Sequence, residues 1–419
     1  MNTSVYRFLR KINAHRKAFL KERAGRILSP CRRIELVHPF QRERICAMTF
    51  DDGPSALPVD GGLGMTETLL QILAHYGAHA TFDVIGSTAP NYPDEAGEKG
   101  TALVFGKRFD HYPCFGQDTL AGVRNQLDIA QRILKEGHEL CNHGDRHVLF
   151  GPNRAVYGSR AHFQTLEEVL ADLRGLHELV EKELGYTLRF GRPPHYIDAI
   201  PDGHNAYDAY TRMGYLYLAA CTDGGGWLPS CGDEQEDIRR MVAPLEAALK
   251  EDPNALNGHI IFQKDGLNQS CDPLVVKALP LQLELLHRYG YRVLSVGEMM
   301  ARSPFEDVSE DDSVLPACRA LEATGHAVAF RNNRFYPHRP VTLEELCTYA
   351  APREAFLQSG GVKQYALSAE WVAPGEKWSA PAGTARMNDL LARLPGNPPP
   401  VHFGVRKELI EALAQGFSL

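Results

Sequence analysis

The sequence predicts an α/β protein whose mostly parallel sheet is either open or closed into a barrel. Two observations predict this class. From Arg44 onward, apolar runs of strand length alternate with amphipathic helical stretches, and polar clusters follow the strands. Sites in such folds are built at the carboxyl ends of the strands. We therefore expect the polar clusters to share one site.

The predicted elements follow one another as strand and then helix, which implies parallel pairing. Strands are predicted where the chain has short apolar runs, at 44–50, 79–86, 138–144, 189–194, 215–223, 257–266 and 291–300, the last as a strand or a strand followed by a helix. Helices are predicted where apolar residues have helical spacing, at 65–78, 117–137, 165–185, 205–214 and 275–290.

Two long segments, 87–116 and 148–164, interrupt this alternation. Both are rich in Pro, Gly, Tyr and charge, and loops of this length in a compact domain are more often lids or binding loops than spacers. We therefore predict that they cover the edge of the sheet that carries the site.

The chain is predicted to have three parts. Residues 1–43 form a basic N-terminal helical arm, 44–303 the α/β domain, and 304–419 a small C-terminal domain that follows the acidic, turn-rich stretch SPFEDVSEDDS. Docking of the arm on the body is the simplest expectation. Contact with a membrane surface or a partner, and a disordered arm, stay open.

The composition bounds the class of protein. With 419 residues, 44% of them hydrophobic and 23% charged, the chain has the composition of an ordinary globular enzyme, and its net charge of -7 argues against a nucleic acid as partner. Nine cysteines without a C-x-x-C pair indicate reduced thiols. The N-terminus lacks the apolar core of a secretion signal, and no stretch has transmembrane length. We therefore expect a cytoplasmic location.

Two polar clusters carry the candidate chemistry. Asp51 and Asp52 come at the end of a strand just before a Gly-Pro turn, so both can face one pocket although adjacent strand positions point to opposite faces. His143 and His147 follow another strand. On a helix, residues four apart share a face and could reach one ion. One aspartate with two histidines is a three-ligand set that leaves positions open for water and substrate.

Five stretches, in this order and at suitable spacing, match the motifs of a known family: TFDDGPS, NHGDRH, GRPPH, TDGGGW and IIFQKDG. Over roughly residues 44–302 the chain resembles the NodB-homology polysaccharide deacetylases, carbohydrate esterase family 4. The resemblance implies a deformed (β/α) barrel of NodB-homology type, here followed by the small C-terminal extra domain. It also implies metal-dependent hydrolysis of an N-acetyl, sometimes an O-acetyl, group on a sugar.

The resemblance also implies roles for the residues of the first three motifs. Asp51 is the general base, and Asp52, His143 and His147 are ligands of one divalent metal ion, zinc. Arg192 pairs with Asp51 and keeps it ionised and oriented, because a neighbouring cation lowers the pKa of a carboxyl group.

The remaining roles concern the rim of the pocket. Asp223 would orient the general acid, Pro194 and Trp227 would help to bind the substrate, and His195 would do so while its backbone N–H stabilises the oxyanion. Lys264 stands where the family has its catalytic histidine. It is predicted either to donate a proton to the leaving amine or to bind an anionic group, with a structural ion pair to Asp223 or Asp265 as the alternative.

Three further positions depart from the family pattern. Gly144 replaces a small hydroxyl residue, His195 replaces a tyrosine, and Asp83 replaces an aromatic residue after "ATF". These changes indicate an altered substrate. We predict a hydrolase of the C–N bond in a small N-acylated sugar, an oligosaccharide or a sugar-like amide. The alternatives are an amidohydrolase of allantoinase or imidase type and a non-catalytic carbohydrate-binding protein that keeps the metal.

The C-terminal domain carries a fainter resemblance. Near 314–352 an apolar helix, a glycine turn, the pattern F-x-P-x-x-x-V-T and a second helix resemble an S-layer homology module. Such modules normally occur as about three repeats, and a single copy favours a packing or oligomerisation role. A weak contact with a cell wall stays open, and the sequence does not indicate the oligomeric state.

Overall fold

The computed structural model describes residues 19–87, 119–153, 161–270, 272–358 and 360–418, together with the backbone of two short strands at 102–104 and 107–109. These residues form two compact units. One spans Pro39–Arg302, and the other spans Ser303–Leu419 together with the described part of Thr3–His38. The assignment of 1–43, 44–303 and 304–419 as separate domains stays a prediction.

The strands are short and the helices are numerous. The strands are β1 Arg33–Ile34, β2 Arg44–Asp51, β3 Thr81–Val84, β4 Ala102–Val104, β5 Lys107–Phe109, β6 Glu139–Asn142, β7 Phe190–Gly191, β8 Leu216–Leu218, β9 Thr222–Asp223, β10 Ile260–Lys264 and β11 Tyr291–Leu294.

The helices of the first unit are α1 Met65–His75, α2 Leu127–Lys135, α3 Leu166–Leu184, α4 Ala206–Met213, α5 Glu234–Glu251, α6 Leu274–Arg288 and α7 Val296–Arg302. Those of the second unit are α8 Leu315–Ala323, α9 Leu343–Ala350, α10 Glu354–Leu357, α11 Gly361–Ser368, α12 Gly383–Leu391 and α13 Arg406–Gly416.

The first unit is built on a parallel sheet with the strand order β8-β7-β6-β3-β2-β10-β9, in which β11 also pairs with β2. Most of these strands are followed by a helix, as parallel connections require. The predicted fold class, an α/β protein with a deformed (β/α) barrel, is confirmed. The carboxyl ends of β2, β3, β6 and β10 meet at one edge.

The central strand β2 explains why this sheet forms. Its residues Ile45 to Met48 are fully buried, and Phe50 stacks on Phe82 of β3 with ring centroids 5.2 Å apart. Parallel strands that are covered on both faces have continuous apolar sequences of this kind. The polar residues of β2 come at its end, where the chain leaves the core.

Two predicted elements differ from the observed ones, and one observed helix was not predicted. The helix predicted at 117–137 begins at Leu127, because the residues before it form turns in which Gly122 has a positive φ of 91°. The strand predicted at 215–223 is two short strands, β8 and β9. Helix α5 was not predicted, since its interior Pro244 and its many charged residues obscure its apolar spacing.

The second unit is helical around its own apolar core. Helix α9 begins with a capping box, in which the Thr342 hydroxyl accepts from the backbone N–H of Glu345, while the Glu345 carboxylate accepts from that of Thr342. The segment that resembles an S-layer homology module forms α8 and α9. The fully buried Leu346 and Leu413 belong to the core of this unit.

Some predicted features fall outside the described residues. Most of the N-terminal arm is among them, although residues 19–24 are helical. Most of the loop predicted at 87–116 and the part of the second loop at 154–160 also lie there. Among the described helices, none is both long and apolar enough to cross a membrane.

Candidate metal centre

The backbone register brings the polar clusters to one edge of the sheet. Asp51, the last residue of β2, lies opposite Asp83 of β3 on one side and opposite Lys264 of β10 on the other. Strand β6 ends at Asn142, directly before His143, and its partner β7 ends directly before Arg192. Residues that are far apart in the sequence thus become neighbours because their strands are parallel.

A left-handed residue turns both aspartates of the first motif toward this edge. Asp52 has a φ of 83°, which lies outside the range of a β-strand, so the alternation of side chains between the two faces of the sheet ends at Asp51. The next residue must be glycine, because a Cβ at Gly53 would lie 1.8 Å from Oδ2 of Asp265. The side chain of Asp51 is 7% exposed and that of Asp52 22%.

The two histidines converge from a loop, although their spacing would also suit one face of a helix. They lie after β6, and the turn between them uses left-handed backbone at Gly144, with a φ of 89°, and at His147, with a φ of 57°. The ring centroids of His143 and His147 are 5.0 Å apart. Both side chains are buried.

Three potential ligand atoms face one another in this centre. Oδ1 of Asp52 lies 3.2 Å from Nε2 of His143 and 3.2 Å from Nε2 of His147. One ligand atom from each of the three residues lies within 4.8 Å of the others. Nδ1 of His143 donates to the backbone carbonyl of Arg192 at 2.9 Å, since a carbonyl can only accept. This hydrogen bond leaves the lone pair of neutral His143 on Nε2, so the donor set fits a divalent cation.

Burial and neighbouring charges shift the pKa values of the three candidate ligands, often in opposite directions. Burial alone would raise the pKa of Asp52, but Lys264 and the two histidines hold it well below its usual value. Burial lowers the pKa of His147, and Asp52 compensates only in part. Burial would also lower the pKa of His143, but Asp51 and Asp52 outweigh burial and raise it. Asp52 is therefore ionised in this arrangement.

Arg192 binds the carboxylate beside the metal set. Its side chain is fully buried, and Nη1 contacts Oδ1 of Asp51 and donates to Oγ1 of Thr49 at 3.0 Å. The other oxygen of Asp51, Oδ2, lies 3.7 Å from Nε2 of His143. Asp51 is thus held by a cation on one side and faces the metal set on the other, the placement that its predicted role as base requires.

Asp83 joins this cluster, and its role could not be predicted from the sequence. Its Oδ2 lies 2.6 Å from Nη1 of Arg192, so one guanidinium nitrogen serves two buried carboxyl groups. Burial raises the pKa of Asp83 well above its usual value, Asp51 adds to this effect and Arg192 opposes it. The sequence contained one indication that Asp83 is unusual, since an acidic residue there replaces the aromatic residue of the family.

Lys264 differs from expectation in its partner. Its ammonium group contacts Oδ2 of Asp52, a predicted metal ligand, and no ion pair is described between it and Asp223 or Asp265. Asp223 instead accepts from the backbone N–H of Gly225 at 2.8 Å and from Nε1 of Trp227 at 2.9 Å. The role of Asp223 in orienting the general acid stays a prediction.

The remaining rim residues lie on two turns, one of which contacts the metal set through His195. Pro194 and His195 belong to a short 3-10 turn after β7, and His195 has a φ of 55°. The His195 ring centroid lies 5.1 Å from that of His147. Trp227 follows a run of three glycines, and a Cβ at Gly226 would lie 3.6 Å from Cβ of Lys264. The catalytic and substrate-binding roles of these residues stay predictions.

Comparison with known proteins shows which family and which relatives this chain is similar to. Residues 40–203 match the family model described as polysaccharide deacetylase, so the predicted resemblance is confirmed there. The chain is 26% identical over 261 residues to a peptidoglycan-N-acetylglucosamine deacetylase of Bacillus cereus, a match that covers 62% of this chain and 89% of that protein. It is 29% identical over 161 residues to the peptidoglycan-N-acetylmuramic acid deacetylase PdaC of Bacillus subtilis, covering 38% of this chain and 23% of that protein.

Among solved structures, the chitin deacetylase of the fungal pathogen Colletotrichum lindemuthianum is similar with a TM-score of 0.44 and 18% identity. That similarity covers 65% of this chain and 92% of that chain. The family match contains the metal set, Asp51 and Arg192, whereas Asp223, Trp227 and Lys264 lie beyond its last residue.

Proposed function

We propose that this protein, whose residues 40–203 match the polysaccharide deacetylase family, is a metal-dependent hydrolase that removes an N-acetyl or related acyl group from a sugar or sugar-like amide. One observation carries the proposal. A buried carboxylate, Asp51, is held by Arg192 directly beside the three-ligand set of Asp52, His143 and His147. A binding protein needs no such base next to its metal.

The residues present suggest how the reaction proceeds. A divalent cation such as zinc, bound by Asp52, His143 and His147, would supply Lewis acidity for an acyl oxygen and for water. Asp51 accepts the proton of the attacking water, and its contact with Arg192 fixes its orientation. Amide hydrolysis then needs a proton for the leaving amine, and Lys264 lies close enough to the centre to be a candidate donor.

The relatives support an N-acetylated amino sugar as the substrate class. Both curated relatives are named as deacetylases of N-acetylated peptidoglycan sugars. The replacements at positions 83, 195 and 264 favour a smaller or altered substrate, from a monosaccharide to an oligosaccharide. Hydrolysis of a cyclic imide and carbohydrate binding without turnover are the outcomes that would replace this proposal.

The proposal is tested by metal analysis and by acetate release from N-acetylated mono- and oligosaccharides. We expect one equivalent of divalent metal and stoichiometric acetate. Activity on cyclic ureides or imides alone would favour the imidase class. Sugar binding with bound metal but without any acetate would favour a binding protein, and either result would overturn the proposal.

The Asp51→Asn variant tests the role of the base. We expect it to keep its metal content and fold but to lose about two to four orders of magnitude in kcat, because the amide cannot accept the proton of the attacking water. The matched control is His143→Ala, which should lose metal while remaining folded. A kcat near that of the wild type in Asp51→Asn would remove this residue from the mechanism.

A further inference from the structure

The two oxygens of Asp52 face different partners. Oδ1 lies 3.2 Å from the Nε2 atoms of both His143 and His147, whereas Oδ2 is in contact with the ammonium group of Lys264. The carboxylate that would bind a cation therefore already binds a cationic side chain. The Lys264 side chain is 16% exposed, so this ion pair is largely shielded from water.

The other carboxyl groups considered as partners of Lys264 form hydrogen bonds or ion pairs with other residues. Asp51 is held by Arg192, and Asp223 accepts from Gly225 and Trp227. Asp265 accepts from the Thr66 hydroxyl at 2.7 Å, and burial raises the pKa of its carboxyl group to about 7 although that hydrogen bond opposes the shift. Among the described residues, Asp52 is the ion-pair partner that the structure provides for Lys264.

We infer that Lys264 weakens the affinity of this centre for its divalent cation by holding the ligand Asp52. The inference rests on the metal centre of the proposed function, but it concerns the regulation of that centre rather than its substrate.

Two physical effects act in the same direction. Before the cation binds, the ammonium group stabilises the charge of Asp52, so part of that favourable interaction must be given up on binding. After the cation binds, an ammonium group and a dication share one carboxylate at short distance in a partly buried site, where like charges repel more strongly than in water. A lysine at this position therefore favours the metal-free state relative to an uncharged residue.

The test is a metal titration of the full-length protein after removal of bound metal with a chelator. Zn²⁺ affinity is measured by competition with a chromophoric chelator at fixed pH and ionic strength, without substrate. We expect Lys264→Leu, which has no ligand atom, to bind Zn²⁺ at least about tenfold more tightly than the wild type. Lys264→Arg keeps the positive charge and should show no such gain. If the Lys264→Leu variant does not fold, Lys264→Ala carries the same expectation.

Two controls separate this effect from general changes. Lys277→Leu removes a lysine that pairs with the exposed Glu234, away from the centre, and should leave Zn²⁺ affinity unchanged. Asp52→Asn should remove most of the affinity both in the wild type and in the Lys264→Leu variant. An unchanged or weaker affinity in Lys264→Leu would overturn the inference, as would an equal gain in Lys264→Arg. Since no substrate is used, a wild-type protein that releases no acetate would refute the proposed function and leave this result intact.

Discussion

Arg192 contacts two buried carboxyl groups, and we therefore expect the centre to depend strongly on it. Asp51 and Asp83 approach the same guanidinium nitrogen, and their own mutual repulsion is compensated by it. Removing one partner from a buried charge pair leaves an uncompensated charge, which is far more costly than losing an exposed ion pair.

We predict that Arg192→Met lowers the free energy of unfolding by about 3–5 kcal/mol, whereas Asp83→Asn costs much less because Arg192 still neutralises Asp51. Urea unfolding of the metal-free proteins measures both values. Arg212→Met is the matched control, since Arg212 pairs with Glu167 on the surface and should cost at most about 1 kcal/mol. Equal losses in the two Arg variants would show that the buried cluster has no special importance.

For individual residues, the sequence predicted which ones belong to the site better than it predicted which side chains they contact. Asp51, Asp52, His143, His147 and Arg192 could be singled out because they occur within motifs. The partners of Asp83 and Lys264 could not, because they depend on strand register, which places Asp83 and Lys264 on opposite sides of Asp51. A sequence motif does not specify which of several nearby carboxylates a lysine will contact.

Among the elements, the turn between the two histidines has the most direct consequence for the centre. Gly144 has a φ of 89°, and a Cβ there would lie 3.0 Å from Oδ2 of Asp172. Glycine suits this conformation, since side chains with a Cβ rarely adopt it.

We therefore predict that Gly144→Ser, which restores the family residue, weakens Zn²⁺ binding by about 1–2 kcal/mol through strain in this turn. The control is Gly185→Ser at the end of α3, where φ is 63° and the Cβ position is open. That variant should cost stability and leave Zn²⁺ affinity unchanged. Chelator competition measures both, and normal affinity in Gly144→Ser would show that the turn tolerates serine.

The strands β3 and β6 are joined at their beginnings by a buried histidine. Nδ1 of His138 accepts from the backbone N–H of Ala80 at 3.0 Å. Burial lowers the pKa of His138 from 6.5 to about 4, with His79 adding to the effect and Glu136 and Glu298 opposing it. Between these two pH values the unfolded chain binds more protons than the folded one, so stability falls as the pH is lowered.

We expect this histidine to remove up to about 3 kcal/mol of unfolding free energy between pH 6.5 and pH 4. Urea unfolding of metal-free wild type and His138→Gln over this range measures the difference, since glutamine offers an acceptor that does not titrate. Parallel pH profiles for the two proteins would show that His138 is not held in its neutral form.

Helix α5 shows where the prediction of elements failed. Its buried residues Ile238, Met241, Leu245 and Leu249 have helical spacing, so a signal was present. Pro244 and the acidic first turn obscured it, although one proline can be accommodated inside a helix when packing provides compensation. The alternation of strands and helices was predictable because each β-then-α unit repeats the same apolar pattern.

In the whole molecule, all three ligands of the candidate centre come from the unit Pro39–Arg302, while Ser303–Leu419 has a separate apolar core. Stability of the second unit and metal binding in the first should therefore respond to different substitutions. The alternation of predicted strands and helices ends near residue 302, so the sequence indicated a boundary there. It did not indicate with which unit the described part of Thr3–His38 would pack, because short basic segments have little apolar patterning to decide this.

We predict that Leu346→Ala, in the core of the second unit, lowers unfolding free energy by about 2–5 kcal/mol and leaves Zn²⁺ affinity unchanged. Urea unfolding and chelator competition on the same preparation test both parts. Leu357→Ala, at a position that is 45% exposed, is the control and should have little effect on either. A loss of metal affinity in Leu346→Ala would show that the second unit controls the centre.

Trp227, which donates a hydrogen bond to Asp223, can serve as an intrinsic fluorescence probe. The chain has three tryptophans, of which Trp227 belongs to the unit that carries the candidate centre, while Trp371 and Trp378 belong to the second unit. In a protein carrying Trp371→Phe and Trp378→Phe, all indole fluorescence would arise at position 227. Quenching of this emission by Co²⁺ would then measure how close the indole lies to the bound cation, without a dye and without a chromogenic substrate.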